Sequence, residues 1–337
     1  MHKNVLIIFF LVFLAVPSFA QTGKVNSDSI PFAPAVNYDA GDAPYSIFCA
    51  DLDGDADQDL AVANSNNASV SILKNNGDGT FQTKVDYGVG NIPHGIFCAD
   101  LDGDGDMDLA VANMGSDNVS ILKNNSDGTF YLDSNYAVGS RPAAVFCTDL
   151  DANSDLDLAV ANEASDNVSI LKNNGNGTFQ MAVNYGVGHG PRSVFCADLD
   201  CDTDLDLSAA GSAGVTILKN NGDGTFQTKV DYDAGEQHYS VFCIDLDGDL
   251  DLDIATANSW SNNVSILRNL SIFTLGDVNA NGKIDLADVI YLANYILKGG
   301  FSPVPLKSGD VNCDSKYDLV DVIKLARYVL FGEPFPC

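Results

Sequence analysis

Short apolar segments alternate with polar turns along most of the chain. In the first repeating unit the apolar positions either alternate with polar ones or run continuously, which is typical of β-strands. Four strands are predicted there, at 46–52, 59–64, 69–75 and 81–89. A nine-residue acidic loop joins the first two strands, and the turn sequence NNGDGT joins the last two.

This unit repeats. The stretch CADLDGDADQDLAVAN, which begins at Cys49, has near copies that begin at Cys98, Cys147, Cys196 and Cys243. Four strands at a period of about 49 residues are typical of one blade of a β-propeller. The sequence therefore predicts a mainly β fold with five blades.

The two ends of the repeat region are incomplete in a complementary way. The last repeat has only three predicted strands, whereas the segment PFAPAVNYDAG at 31–41 matches a fourth strand, FQMAVNYGVG at 179–188. Pairing of the N-terminal strand with the last blade would remove exposed sheet edges. We therefore expect a closed five-bladed β-propeller; a seven-bladed ring and an incomplete ring that dimerises are the alternatives.

The periodicity becomes helical after residue 276. One apolar face is predicted for each of two helices, and the two faces are 33 positions apart. They comprise Leu286, Val289, Ile290, Ala293, Ile296 and Leu297, and then Leu319, Val322, Ile323, Ala326, Val329 and Leu330. Gly299 is expected to end the first helix, so a small all-α domain is predicted to follow the propeller.

The N-terminus has the pattern of a secretory signal peptide. His2 and Lys3 precede an apolar run at 5–16, and Ser18 and Ala20 occupy the small-residue positions of a cleavage site. The run is too short to span a bilayer, which needs about 20 residues. We expect a signal peptide at 1–20, a flexible leader at 21–31, and a secreted protein, extracellular or associated with the cell surface.

The net charge of −29 is concentrated in the repeated loops. Carboxylates about 4 Å apart repel by about 4 kcal/mol at an effective dielectric constant of about 20, so the loops need cations. Outside the loops the chain is close to neutral. The charge gives no reason to expect nucleic acid as a partner, and it makes metal ions the expected counter-charge.

The acidic residues stand at alternate positions of each nine-residue loop. Side chains at positions one, three, five and nine are expected to converge on an ion, with the carbonyl of position seven. Hard oxygen ligands in this number favour Ca²⁺, and the absence of His from the loops argues against Zn²⁺. The five sets are Asp51, Asp53, Asp55 and Asp59; Asp100, Asp102, Asp104 and Asp108; Asp149, Asp151, Asn153 and Asp157; Asp198, Asp200, Asp202 and Asp206; and Asp245, Asp247, Asp249 and Asp253.

Five of the eight cysteines occupy one equivalent position in each repeat, from Cys49 to Cys243, and are expected to be buried on strands. Cys201, inside the fourth acidic loop, is expected to be exposed. A disulfide between Cys313 and Cys337 is possible after export, although spacing alone does not establish it.

Loops such as DLDGDGDMDLAVAN at 100–113 resemble those of FG-GAP and VCBS repeats. These are the calcium-binding blades of integrin α-subunit propellers and of many secreted bacterial proteins. The resemblance covers residues 32–270 and implies a calcium-binding propeller. The fourth loop departs from it, because Cys201 stands where Gly54 stands in the first loop, and its turn is expected to be strained.

The C-terminal segment, 276–337, resembles a type I dockerin, a duplicated EF-hand-like calcium loop followed by a helix. The resemblance implies a cohesin partner, about seven structural Ca²⁺ ions in the whole chain, and partner docking through Leu286, Ala287, Leu319 and Val320. The calcium ligands that it implies are Asp277, Asn279, Asn281, the carbonyl of Lys283, Asp285 and Asp288, and then Asp310, Asn312, Asp314, the carbonyl of Lys316, Asp318 and Asp321.

The connections on the opposite rim from the acidic loops carry the variable residues. Such loops on a rigid scaffold often bind ligands, and aromatic and Arg side chains are frequent anchors. The candidates for a glycan or protein ligand are Tyr45, His94, Arg141, His189, Arg192, His238, Tyr239 and Trp260. An unremarkable set of loop residues is the alternative.

The sequence contains no recognisable catalytic constellation, because its carboxylates are nearly all committed to metal loops. A glycosidase needs two free carboxylates beside a cleft, and only Glu163, Glu236 and Glu333 are glutamates. We therefore expect a binding or adhesion module rather than an enzyme. The alternative is a component of extracellular polysaccharide degradation, a glycoside hydrolase or lyase, which rests on fold analogy.

Overall fold

A computed structural model describes residues 34–235, 237–247, 251–270, 276, 278, 283–299, 306–312 and 316–334. The chain divides into two compact units, 1–38 and 39–337. In the first unit the described residues, 34–38, form no helix or strand. The predicted signal peptide, the leader and the Cys313–Cys337 pair lie outside the described residues.

The second unit contains five antiparallel sheets in chain order. The first has β1 Pro44–Ala50, β2 Asp59–Asn64, β3 Ser69–Leu73 and β4 Val85–Gly88; the second β5 Pro93–Ala99, β6 Asp108–Asn113, β7 Asn118–Asn124 and β8 Phe130–Ala137. The third has β9 Pro142–Thr148, β10 Asp157–Asn162, β11 Asn167–Leu171 and β12 Val183–Gly186; the fourth β13 Ser193–Ala197, β14 Asp206–Gly211, β15 Gly214–Leu218 and β16 Val230–Tyr232. The fifth has β17 His238–Ile244, β18 Asp253–Asn258 and β19 Asn263–Leu267.

The second strand is completely buried in the three middle sheets. All six residues of β6, β10 and β14 are buried, which is why DLAVAN-type segments lack a polar face. Their neighbours on both sides are strands of the same sheet, and both faces are covered by adjacent sheets. This is the burial pattern of a central strand between two packed layers.

Consecutive sheets pack face to face through four apolar clusters. The first cluster joins Ala63, Val70 and Ile72 of the first sheet to Ile96 and Cys98 of the second. The same positions recur in the clusters between the second and third, third and fourth, and fourth and fifth sheets. Each repeat therefore completes its core only against its neighbour, as in other repeat architectures.

The expectation of a closed five-bladed propeller is wrong. The fifth sheet has three strands, residues 34–43 form no strand, and none of the five sheets is closed. Among the described residues, β19 pairs only with β18, and β1 pairs only with β2. The sequence match between the N-terminal segment and a fourth strand therefore does not correspond to a strand pairing in the structure.

The predicted third and fourth strands are longer than the observed ones. β3 ends at Leu73 and β4 begins at Val85, and between them Asn75 and Phe81 form an isolated bridge. The side chain of Asn75 accepts the N–H groups of Gly77 and Gly79, so the backbone turns where the alternation of apolar residues predicts strand.

The C-terminal part of the second unit contains two helices, α1 Leu286–Lys298 and α2 Leu319–Phe331. Gly299 follows α1 in the left-handed conformation, which confirms the predicted helix end. The predicted apolar faces missed the two fully buried apolar side chains of the helices, Leu292 and Leu325. Leu286 and Ile290 of the first predicted face are exposed. No helix in the described part of the chain is long and apolar enough to cross a membrane.

The repeated cysteines follow the prediction with one exception. Cys98, Cys147, Cys196 and Cys243 are buried between sheets, whereas Cys49 is exposed because no sheet precedes the first one among the described residues. The expectation for Cys201 is wrong: this residue is buried, with its Sγ 3.5 Å from Oδ1 of Asp251 in the next loop.

Candidate metal centres

Each acidic loop brings three carboxylates together at one end of its sheet, which we call the acidic end. In the first loop these are Asp51, Asp53 and Asp59, and one oxygen of each lies within 4.8 Å of the others. Equivalent clusters occur in the other four loops, at Asp100, Asp102 and Asp108; Asp149, Asp151 and Asp157; Asp198, Asp200 and Asp206; and Asp245, Asp247 and Asp253. The side chains at loop positions one, three and nine therefore lie close together in every repeat.

The aspartates at the fifth loop position that the structure describes, Asp55, Asp104 and Asp202, are not part of these clusters. Asp55, Asp104, Asn153 and Asp202 instead accept the backbone N–H two residues later. Asp249 lies outside the described residues. Three side chains of each loop therefore lie together, whereas the side chain at the fifth position of the first four loops stabilises the turn.

Two members of the trio are held by the backbone. Asp51 accepts N–H groups from Gly54 and Ala56, each at 2.9 Å. Asp59, which is fully buried, accepts the N–H of Leu52 at 3.0 Å and that of Asn75 at 2.7 Å. These bonds fix the carboxylate positions before any ion arrives.

The third member carries an oxygen without a protein partner. Oδ1 of Asp53 is buried and makes no hydrogen bond, and the same holds for Oδ1 of Asp102, Asp151 and Asp200. The other oxygen of Asp53 lies 3.3 Å from Nζ of Lys74. A buried unpaired carboxylate oxygen is costly unless a cation binds it.

Without a bound cation, burial and the neighbouring carboxylates disfavour the ionised form of the trio. Burial, together with the charges of Asp102 and Asp104, raises the pKa of Asp108 to about 7, against hydrogen bonds from Asn124 and Leu101 that lower it. Burial likewise raises the pKa of Asp206 to about 7 and those of Asp157 and Asp198 to about 6. Without a cation these loops would hold protons near neutral pH.

The sequence analysis missed the lysine contacts that tie the first three acidic loops to the next sheet. Lys123 bonds to Asp102 at 3.0 Å and donates to the carbonyl of Asn176 in the following sheet at 2.9 Å. Lys74 and Lys172 make the equivalent bonds. The sequence does contain a sign of these contacts. A lysine follows the apolar residues of the third strand in each of the first four repeats, and Arg268 stands at the same place in the last.

The fourth loop shows the expected backbone conformation. Cys201 has φ of 62°, in the left-handed region where Gly54 of the first loop has φ of 76°. A non-glycine residue there costs about 1–2 kcal/mol. The trio of this loop nevertheless converges as in the others.

The profile of the FG-GAP-like repeat matches residues 51–111, 100–160, 149–209 and 198–256. Together these matches cover more than half of the chain. The chain belongs to the FG-GAP-like repeat family. The profile of the dockerin type I domain matches residues 275–330. Both families are binding or assembly modules rather than catalytic domains, both typically bind calcium, and a dockerin implies a cohesin partner.

Several solved structures are similar to this FG-GAP-like chain. A lectin of Agrocybe aegerita that recognises non-reducing terminal N-acetylglucosamine is 25% identical, with 69% of this chain and 68% of the lectin covered and a TM-score of 0.47. The V. cholerae biofilm matrix protein Bap1 is 16% identical, with 68% and 38% covered and a TM-score of 0.46. No curated protein matches the chain.

Both dockerin helices begin at a predicted calcium ligand. Asp285 caps α1 and accepts the N–H of Ala287 at 2.7 Å, while Asp318 caps α2 and accepts the N–H of Val320 at 2.7 Å. Oδ1 of Asp321 is buried without a hydrogen-bond partner. Asp277, Asn279, Asn281 and Asp314 lie outside the described residues.

At the end opposite to the acidic loops, several ligand-face candidates meet around a residue that the sequence reading passed over. Glu163 bonds to Arg192 at 2.6 Å and to Arg141 at 3.1 Å. The Arg192 guanidinium lies 4.5 Å from the ring centre of Tyr239 and donates to Gln237. Adjacent connections therefore build one charged and aromatic cluster.

A second pair lies close to this cluster. The rings of Tyr45 and His94 are 3.7 Å apart, and Nδ1 of His94 lies 2.7 Å from the carbonyl oxygen of Ala143. Burial lowers the pKa of His94, although the charge of Glu163 opposes this. His94 is therefore electrostatically coupled to the Glu163 cluster.

The remaining candidates stand apart. His189 pairs with Asp166 at 2.9 Å, and Trp260 is exposed. His238 is fully buried, with its ring nitrogens against the carbonyl oxygens of Gly211 and Ala234, so it cannot contact a ligand at the surface. His238 lies on the buried side of the start of β17, whereas the next residue of the strand, Tyr239, is exposed.

Proposed function

We propose that this chain is a secreted, calcium-stabilised binding or adhesion module that is attached through its dockerin to a cohesin-type partner. The observation that carries the calcium assignment is the buried oxygen without a partner, repeated at Asp53, Asp102, Asp151 and Asp200. In each loop the aspartate that carries this oxygen belongs to a trio of carboxylates.

The donor chemistry of the loops suits calcium. All three converging groups are carboxylates, and Ca²⁺ binds six to eight oxygens with tolerant geometry. A lysine neutralises only one charge of a trio, for example Lys123 at Asp102. A divalent ion would offset the rest, and backbone carbonyls and water would complete its coordination.

We assign about seven such ions, five in the repeat loops and two in the dockerin. In the dockerin, Asp288 and Asp321 would close the coordination of the two EF-hand-like loops, as the last ligand of such loops does. The buried, unpartnered Oδ1 of Asp321 supports the second of these sites. The ions act as structural ligands that bind only the folded loops.

The ligand surface that we propose is the Glu163 cluster with the Tyr45–His94 pair. Tyr45 and Tyr239 are exposed and would offer aromatic faces to a glycan or protein ligand. Glu163 holds Arg192 beside Tyr239, so that the surface is ordered before a ligand binds.

The dockerin helices carry the proposed attachment surface. Leu286 and Ala287 of α1, and Leu319 and Val320 of α2, are exposed and occupy the same positions of the two helices. A dockerin implies a cohesin partner, and exposed apolar side chains at a helix start are suited to such docking.

Binding to a glycan and matrix-protein array tests the ligand surface. We expect calcium-loaded protein to bind at least one class of ligand without turnover, and Tyr239→Ala to weaken that binding at least tenfold. Tyr232→Ala is the matched control, because Tyr232 is similarly exposed, on the outer strand β16. Equal losses with both variants, or no effect of Tyr239→Ala, would contradict the assignment.

Binding to immobilised type I cohesin domains tests the attachment surface. We expect the double change Leu286→Asp and Leu319→Asp to abolish cohesin binding while the array binding remains. Retention of cohesin binding by this variant would remove the proposed docking residues from the interface.

A further inference from the structure

The first sheet leaves one apolar face exposed. Ile47 of β1 is 58% exposed, and Cys49 beside it is also exposed. The counterparts of Ile47 in the following sheets are all buried: Ile96, Val145, Val194 and Val241. Those residues pack against the preceding sheet. In the described part of the chain, the first sheet has no preceding sheet to pack against.

The fifth sheet leaves exposed the face that, in each of the other four sheets, is covered by the following sheet. Val264 and Ile266 of β19 are 64% and 48% exposed in the whole chain, with the dockerin present. Their counterparts, such as Val70 and Ile72 in the first sheet, are buried beneath the following sheet. No sheet follows the fifth among the described residues, and a fourth strand is also missing there.

These two faces are the two halves of an interface that the chain forms four times. In each of the four, the first strand of the following sheet packs on the first and second strands of the preceding sheet. Of the strands that begin the five sheets, only β1 does not pack on a preceding sheet in the described part of the chain. Because the faces of β1 and of the fifth sheet are both exposed, they do not cover each other within one copy.

A row of phenylalanines runs through the same interfaces. The ring centres of Phe48, Phe97, Phe146, Phe195 and Phe242 follow one another at 4.9, 5.1, 5.1 and 5.0 Å. The row ends at Phe242, whose side chain is 38% exposed. The next ring in the same register would be that of Phe48.

A side-chain amide that bonds across each internal interface lacks this bond in the first sheet. The amide of Asn124 donates to the carbonyl of Leu52 in the preceding sheet and to that of Met107 in its own. Its counterpart in the first sheet, Asn75, has only the bond within its sheet, to Gln58. The carbonyl that corresponds to that of Leu52 at the far end of the array belongs to Leu246.

We propose that two copies of this chain associate head to tail, with β1 of one copy packed on β17 and β18 of the other. Phe48 then continues the row beyond Phe242, and Asn75 donates to Leu246. Val62 and Leu73, on the same side of the first sheet, are already buried within the chain, so the contact follows β1. The interface is heterologous and repeats the internal one.

Mixing two charge variants tests this geometry. Ile47→Asp removes the β1 face but keeps the fifth-sheet face, and Val264→Asp does the reverse. By sedimentation velocity in calcium, we expect the wild-type mass to rise with concentration and each variant to stay monomeric. An equimolar mixture of the two variants should form a species of two chains, because one intact face remains on each. Met181→Asp, at a position 91% exposed on the surface, should behave as wild type.

A cysteine pair locates the contact. Ser208 of β14 lies 3.4 Å from the sulfur of Cys243 in the following sheet, and Ala255 is the counterpart of Ser208 in the fifth sheet. Ala255→Cys should therefore form an intermolecular disulfide with Cys49 under mild oxidation, and the added change Cys49→Ser should abolish it.

Three results would overturn the proposal. These are a wild-type protein that stays monomeric at every concentration, a variant mixture that does not associate, and an Ala255→Cys disulfide confined to single chains. The last result would mean that the two faces meet within one copy.

Discussion

The side-chain amide of Asn124 donates to the backbone carbonyl of Leu52, 72 positions earlier in the chain, at 2.7 Å. Leu52 belongs to the acidic loop of the first sheet and Asn124 begins the turn of the second. The same bond joins Asn173 to Leu101, Asn220 to Leu150 and Asn269 to Leu199. One side-chain amide in each of the last four repeats therefore fixes the position of the preceding candidate calcium loop.

Removal of this amide should destabilise the fold. Asn124 is buried and also accepts the N–H of Gly128, so Asn124→Ala leaves buried carbonyl and amide groups without partners. We expect a loss of about 2–4 kcal/mol in the free energy of unfolding, measured by urea denaturation in calcium. Asn125→Ala is the control, because Asn125 is exposed and bonds only to Thr129; its loss should be under about 1 kcal/mol.

A pair of glycines tests the close approach between adjacent sheets. Gly128 has φ of 69°, and a Cβ there would lie 2.9 Å from Cβ of Asp53 in the preceding loop. Gly79 has φ of 80° at the equivalent turn of the first sheet, with nothing within 4 Å. Both changes to Ala incur the left-handed penalty of about 1–2 kcal/mol.

Only Gly128→Ala also crowds a neighbouring loop. We expect it to be more destabilising than Gly79→Ala by about 1–3 kcal/mol and to weaken calcium binding at the first loop. Equal unfolding free energies for the two variants would show that the sheets do not approach each other as described.

The calcium-free protein should lose stability as the pH rises. Burial raises the pKa values of Asp108 and Asp206 to about 7, whereas both are near 3.9 in an unfolded chain. The folded state therefore binds more protons, and its stability falls between about pH 4 and pH 7 by about 1.4 kcal/mol per pH unit for each such group. In excess chelator, Tm should be higher at pH 5 than at pH 8.

Calcium should remove this dependence, because the ion takes the place of the protons on the same carboxylates. Tm in saturating calcium should then be no lower at pH 8 than at pH 5. A chelated protein whose Tm rises over the same range would contradict the raised pKa values.

The regular spacing of the repeats makes much of this structure predictable from sequence. Alternation of apolar residues located all four kinds of strand. The alternate aspartates include the three that lie together in each loop, such as Asp51, Asp53 and Asp59, but the spacing did not distinguish them from the fifth loop position. These features are local, since the period of a strand and the reach of a nine-residue loop fix them.

Closure of the ring could not be predicted in the same way. A match between residues 31–41 and a fourth strand is a statement about local propensity, whereas pairing with β19 depends on how all five sheets pack. The burial of His238 and the role of Glu163 also depend on non-local contacts, with Gly211 and with Arg192. Composition carries no signal for either.

The thermal stability of the protein with and without calcium tests the central claim most directly. The account predicts that Tm at neutral pH is higher in saturating calcium than in excess chelator by more than about 10 °C, since several sites bind only the folded state. Magnesium at the same concentration should give a smaller shift, because it prefers strict octahedral coordination. A Tm that is the same in calcium and in chelator would contradict the claim that the repeated aspartate trios are calcium sites.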